Sequence, residues 1–219
     1  MLVINPNNIS SYAPLTRLYF YTGMNELSIA TGKKAYKLDP KNPHNHNLGV
    51  SYYNAGLFQK GIDFINVFDK KKTNAPAQLW LGMNYYGLGQ NNKALDTFKN
   101  IVTIKSTSEL ANFSAQFYIA MIQGDKNKTL QILDNNMQQI FLTGARLNHW
   151  AGFYALLGEK DKSLAMLRKS VDLGFYNYPQ MQGHPYFEGM KDNTEYQEIL
   201  ALAKQKHLAF KQAISKQIR

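Results

Sequence analysis

The chain has no cysteine among its 219 residues. That excludes a disulfide scaffold, thiol catalysis and any Cys-ligated zinc or iron–sulfur site, and it leaves the compartment open. Long apolar runs are missing too: no stretch reaches the roughly eighteen uninterrupted apolar residues of a membrane-spanning helix. The start, Met1-Leu-Val-Ile-Asn-Pro6, has no basic region followed by a long apolar core, so it does not read as a secretory signal. Acids are scarce: 15 Asp and Glu face 25 Lys and Arg, a formal charge of +10. The excess biases encounters toward acidic partners but says nothing about fold. Catalytic patterns are absent as well. The five histidines are His44, His46, His149, His184 and His207, and the first two are too close in sequence to share one helical ligand face. No His-Glu-x-x-His, Gly-x-Ser-x-Gly or Gly-x-x-x-x-Gly-Lys pattern occurs. The expectation is a non-enzymatic chain without cofactor or metal.

What is present is apolar and aromatic. Hydrophobic residues make up 44% of the chain, with 14 Tyr, 12 Phe and 2 Trp, which argues against disorder. A period hides in the glycines. Gly23, Gly56, Gly89, Gly124 and Gly158 each end an apolar segment, at intervals of 33, 33, 35 and 34 residues. Four residues before each stands Tyr19, Tyr52, Tyr85, Ala120 or Tyr154, and eight before it Leu15, Leu48, Leu81, Gln116 or Trp150. Five residues after it comes a small side chain: Ser28, Gly61, Ala94, Thr129 or Ser163. Positions four apart share a helix face, and glycine ends the helix because it takes a left-handed cap without strain. A second helix follows, as in Asn92–Val102, where Ala94, Phe98 and Ile101 form one buried stripe. The unit is a helical hairpin of about 34 residues that must stack on neighbours to bury its apolar face.

On these residues the chain resembles the tetratricopeptide repeat family over about residues 9–173. The third repeat carries the pattern best, with Leu81-Gly82, Tyr85, Gly89, Ala94 and Phe98; the second has Leu48-Gly49, Tyr52, Gly56 and Gly61. The first ends on Leu38-Asp39-Pro40, and the fourth departs most, with Gln116-Phe117 and Ala120. The resemblance implies an all-α fold: a right-handed α-α superhelix, the tetratricopeptide solenoid, of about five helical hairpins with a C-terminal capping segment. The repeats are expected at about 9–41, 42–74, 75–109, 110–143 and 144–173.

Val3-Ile-Asn-Pro6 precedes Lys37-Leu-Asp-Pro40 by one period. Residues 1–8 therefore read as the tail of a truncated preceding repeat, with a short native cap helix as the alternative. Beyond Leu173 the period is lost. Residues 174–183 read as a loop with aromatic anchors, and residues 174–219 together as loop and capping helices. His184-Pro-Tyr-Phe187 onward is similar to the ending that closes many bacterial tetratricopeptide modules of multidomain regulators, with Met190, Thr194 and Tyr196 in place of the usual Leu, Pro and Phe. In such an ending Phe187, Met190, Tyr196 and Leu200 plug the last repeat. The resemblance implies the sensory or scaffold part of a larger bacterial regulator, cytoplasmic, with an extracytoplasmic part of a longer chain as the alternative.

In this family the first helix of each repeat lines a concave groove. Carried over by position, the groove residues would be Arg17, Phe20, Tyr21, His46, Tyr53, Asn54, Leu79, Met83, Tyr86, Tyr118, Met121 and Asn148. That set suits a protein or peptide partner, including another domain of the parent chain. The alternative is that several of these side chains pack against a neighbouring repeat or the chain's own last helix. A carboxylate clamp is not expected, because Asn47 alone matches and Ala13 and Pro76 stand where basic residues belong. The exposed lysines (Lys33, Lys34, Lys37, Lys70, Lys71, Lys72, Lys99) and Arg168 and Lys169 fall on second helices and turns. They read either as a solvated face or as an accessory surface for nucleic acid or acidic membrane, although no nucleic-acid motif is present. Self-association through the repeat ends is the remaining alternative.

Overall fold

In the computed structural model, residues 9–104, 108–137 and 143–217 are described. The expected truncated repeat at residues 1–8 lies outside them. The described residues form helices and turns with no strand. Helices α1 (Ile9–Tyr21) and α2 (Asn25–Leu38) make the first hairpin, and α3 (His46–Asn54) and α4 (Phe58–Phe68) the second. Then come α5 (Ala75–Gly87) with α6 (Asn91–Thr103), α7 (Glu109–Ile122) with α8 (Lys126–Met137), and α9 (Gly144–Leu156) with α10 (Lys160–Asp172). The chain continues through α11 (Tyr178–Gly183), a 3₁₀ turn at Pro185–Met190 and the long α12 (Thr194–Gln217).

The five periodic glycines do what their spacing predicts. Their φ angles are +79, +70, +71, +77 and +79°, in the left-handed region. At each, the amide after the glycine donates to the carbonyl four residues before the glycine. The bonds are Met24 to Tyr19 (2.8 Å), Leu57 to Tyr52 (2.9 Å), Gln90 to Tyr85 (2.9 Å), Asp125 to Ala120 (3.0 Å) and Glu159 to Tyr154 (2.9 Å). This is the Schellman closure, which satisfies carbonyls that the helix end would otherwise leave bare.

Hairpin packing explains the small residues. Ser28 Oγ donates to the Thr16 carbonyl (3.0 Å) and Ser163 Oγ to that of Ala151 (2.8 Å), the same bond in two different repeats. Gly49 and Gly82 serve another close approach: a Cβ there would sit 2.8 Å from Ile65 and 2.4 Å from Phe98. The glycine of the Leu-Gly pair is thus the floor on which the second helix rests a fully buried side chain, Ile65 or Phe98.

The chain forms two compact bodies. The larger takes the described residues of 1–17 and 25–140, and the smaller those of 18–24 and 141–219. In the larger, Ile62, Ile65, Ala77 and Leu81 form one buried cluster, flanked by Phe64, Phe68, Trp80 and Tyr85. In the smaller, α9 and α10 share a core with Met181, Phe187, Met190, Tyr196, Ile199, Leu200 and Ala203. Tyr196 is buried and donates its hydroxyl to the Met181 carbonyl at 2.6 Å. Burial and, secondarily, the charge of Glu188 raise its pKa.

One segment differs from expectation. Residues 178–183, read as loop, form the short helix α11. Asn177 caps it by accepting the Gln180 amide at 3.2 Å, Pro179 occupies its first turn, and Met181 is buried beneath it.

Candidate interaction surfaces

The twelve groove positions divide between the two bodies. In the larger, Arg17 is exposed, and His46, Tyr86 and Met121 are half-buried. His46 donates Nδ1–H to the Pro43 carbonyl at 2.9 Å. Its pKa lies below the ordinary value, chiefly through burial, with His44 and Arg17 lowering it further against the raising effect of that backbone bond. The Tyr86 ring lies 5.4 Å from that of Tyr118, and burial raises its pKa.

The expectation that the whole set is exposed does not hold. Tyr53, Asn54, Leu79, Met83 and Tyr118 in the larger body, and Phe20 and Asn148 in the smaller, are buried. The reason is reach. Tyr53 lies 5.5 Å from Phe58 across its own hairpin and 5.3 Å from Trp80 in the next, while Tyr118 stacks on Phe98 of the preceding hairpin at 4.6 Å. Large side chains at these positions hold repeats together, which was the alternative left open by the sequence. Asn47, the one match to a carboxylate clamp, is buried too.

In the smaller body the chain covers its own first-repeat positions. Tyr21 is half-buried, with its ring 5.7 Å from Phe175. The carbonyls at the end of α1 and just after it also find partners far along the chain. Asn177 Nδ2 donates to Phe20 O at 2.7 Å, the Tyr176 amide to Tyr21 O at 3.0 Å, and His207 Nδ1–H to Thr22 O at 2.8 Å. Gly23 lies so close that a Cβ would meet His207 Nδ1 at 2.8 Å and Asn177 Oδ1 at 3.1 Å. Sequence reasoning missed Asn177 and His207. Their only local signals were an Asn ahead of Tyr-Pro and a histidine on the buried stripe of α12.

A second feature of this body is a pair of imidazoles, His184 buried and His149 half-buried. His184 caps the 3₁₀ turn by accepting the Tyr186 amide at Nδ1 (3.3 Å), and the His149 ring stands edge-on to Phe153 at 4.4 Å. Burial lowers the pKa of His184 to about 4, and burial together with the charge of His184 lowers that of His149 to about 3. Among the described residues, no group of three or more His, Asp or Glu could hold a metal ion. Nor is any described helix long and apolar enough to cross a membrane.

Residues 76–104 match the tetratricopeptide repeat family. No curated protein matches the sequence closely enough to count as a relative. Among solved structures, the chain is similar to a thermophilic tetratricopeptide repeat protein of Thermus thermophilus. The TM-score is 0.57 at 14% identity, with 90% of this chain and 99% of the other covered. It is also similar to a tetratricopeptide repeat protein of Parabacteroides merdae, with a TM-score of 0.50 at 16% identity, covering 91% of this chain and 86% of the other. Such repeats generally serve as non-catalytic protein–protein interaction modules. Residues 76–104 are thus a tetratricopeptide repeat, and the chain has the all-α fold of tetratricopeptide repeat proteins.

Proposed function

We propose that the chain is a protein-interaction module whose larger body holds a peptide-like segment, or a neighbouring domain of a longer parent, along the inner positions of its first helices. The observation that carries the reading is the accessible remainder of the groove set: Arg17 exposed, with His46, Tyr86 and Met121 half-buried. They offer one cation, one imidazole, one ring and one thioether, a mixture suited to an extended peptide with apolar anchors. Five repeats over 9–173 closed by 174–219 are part of this proposal. So is a place in a larger bacterial regulator, which rests on the likeness of the His184–Leu200 ending to that of regulator modules.

Peptides selected from a display library against the protein test the reading. Arg17→Ala combined with Tyr86→Ala and Met121→Ala should weaken a selected peptide about tenfold or more. Affinity should change little between low and physiological salt. Equal affinity for the variant, or no selectable peptide, would overturn the reading. Tyr53 is unsuited to this test because it is buried between Phe58 and Trp80.

A further inference from the structure

We propose that the turns following α2 and α4, together with the C-terminal part of α6, form a docking strip for an extended acidic protein segment, a second site in addition to the inner-face positions above. Two side-chain bonds tie the two turns to each other and to α6. Asn74 Nδ2 donates to Pro43 O at 3.3 Å, and Asn100 Nδ2 donates to Lys72 O at 3.4 Å. Along this row Lys37, Lys41, Lys70, Lys71, Lys72 and Lys99 are exposed. None of the six pairs with an acid among the described residues. Lys37 sits in the last turn of α2, where it also complements the helix dipole. Lys41 and Lys70–Lys72 lie beyond helix ends and have no such local task.

The acids of these turns are engaged by the turns' own backbone, and Asp69 faces inward. Asp69 is 7% exposed, and its carboxylate accepts the amides of Thr73 (3.1 Å) and Asn74 (3.1 Å) and the Gln78 side chain (2.8 Å). Its charge is spent on shaping the turn that displays three lysines. Asp39 accepts the Lys41 amide at 3.2 Å. Exposed acids flank the strip on the helices, Asp63 in α4, Asp96 in α6 and Glu109 at the start of α7, and none of them pairs with the six lysines. Lys72 adopts φ +53°, the only left-handed non-glycine residue among those described, and Asn100 holds its carbonyl. A strip fixed in this way loses little freedom on binding.

The partner class follows from what the strip offers. Residues 37–45, 69–74 and 99–104 contain no Tyr, Phe or Trp on which bases could stack. Two aliphatic side chains stand beside the lysines, Leu38 at 40% and Val102 at 49% exposure. Unpaired lysines in a row with isolated apolar points between them complement an extended chain of acidic and aliphatic residues.

The probe is a fluorescein-labelled dodecapeptide of repeating Asp-Glu-Leu, titrated by anisotropy against the whole chain. Lys70→Glu with Lys71→Glu and Lys72→Glu should weaken it about tenfold or more, and Lys204→Glu with Lys211→Glu and Lys216→Glu, the same charge change elsewhere, less than about threefold. Lys41→Glu with Lys99→Glu leaves the Asp69 turn intact and should weaken binding by at least about threefold. It decides the matter if the triple variant fails to fold. The Arg17, Tyr86 and Met121 variant should bind the dodecapeptide normally, so this strip and the inner face fail independently. Equal loss in both triple variants, no measurable binding, or tighter capture of oligo(dT) or of phosphatidylserine-containing vesicles than of the peptide would each overturn the proposal.

Discussion

In the larger body, helix starts are capped from a few residues away: Asn74 Oδ1 accepts the Ala77 amide at 3.0 Å, and Ser108 Oγ the Ala111 amide at 3.4 Å. In the smaller body the last turn of α1 is closed by donors 157 and 185 residues further along the chain. The first is the economy of a repeat stack, whose stability is nearly a sum of local and nearest-neighbour terms. The second is a closure in which distant segments must be in place together. Charge follows the same division. In the larger body Lys41, Lys70, Lys71 and Lys72 pair with no acid among the described residues, whereas in the smaller body Arg168 meets Glu195 at 3.0 Å and Lys191 meets Glu188 at 2.6 Å. A surface left unpaired is available to something else.

The contrast can be broken at several points. Phe98 is fully buried against Tyr118 and above Gly82, so Phe98→Ala should cost about 3–5 kcal/mol in urea denaturation. Loss of amide protection should centre on α5–α7. Uniform loss through α2–α8 would mean the larger body is not locally stabilised. Asn177→Ala with His207→Ala removes the long-range donors to the Phe20 and Thr22 carbonyls and should cost about 2–4 kcal/mol. The Tyr176 amide, bonded to Tyr21 O, should lose its exchange protection. An unchanged midpoint would remove the closure from the account.

The two imidazoles add a pH dependence to the smaller body. His184 and His149, lowered to about 4 and about 3 from an ordinary 6.5, are neutral when folded. The stability they confer by staying neutral is complete above about pH 6.5 and declines as pH falls through that value toward 4 and 3. Between pH 7 and 5 the loss should be about 2–4 kcal/mol, and His149→Phe with His184→Asn should flatten it. A flat profile in the wild type would contradict the lowered pKa values of the two rings.

Two glycines sharpen the comparison at smaller cost. Nothing lies within 4 Å of a Cβ at Gly56, so Gly56→Ala should cost only the left-handed backbone term of about 1–2 kcal/mol. Gly23→Ala adds collisions with His207, Pro179 and Asn177, and thermal melts should rank it clearly worse. Equal costs would mean that the smaller body yields at its closure. The smallest effect belongs to Arg168→Ala. Both partners of its ion pair are nearly half exposed, at 46%, and its loss should cost about 0.5 kcal/mol or less in a denaturant titration.

How much of this was legible in the sequence depends on the range of each interaction. The helix-ending glycines were readable because a left-handed cap is a property of one residue and its four predecessors. The small residues at positions 28, 61, 94, 129 and 163 were readable for a similar reason, since hairpin packing repeats with the period. Exposure of the groove set was not. Whether Tyr53 or Tyr118 faces solvent depends on Trp80 and Phe98, which no periodicity within one repeat places beside them. The roles of Asn177 and His207 were hidden for the same reason, amplified by a separation of more than 150 residues. The inward turn of Asp69 needed the coordinates of Gln78, although the Asp-Lys-Lys-Lys run advertised the charge.

The distant closure of α1 also sets a timetable for the nascent chain. Thr22 leaves the ribosome 185 residues before the histidine that bonds to it. At about 5–20 residues per second, the end of the first helix therefore waits roughly 10–40 s for its partner to be synthesised. During that interval Phe20 and Tyr21 lack their final cover, and early hairpins must hold through repeat packing alone. Synthesis speed between Thr22 and His207 then becomes a determinant of yield, and a chaperone that shields two aromatic residues would act on the segment around α1 while that interval is being made.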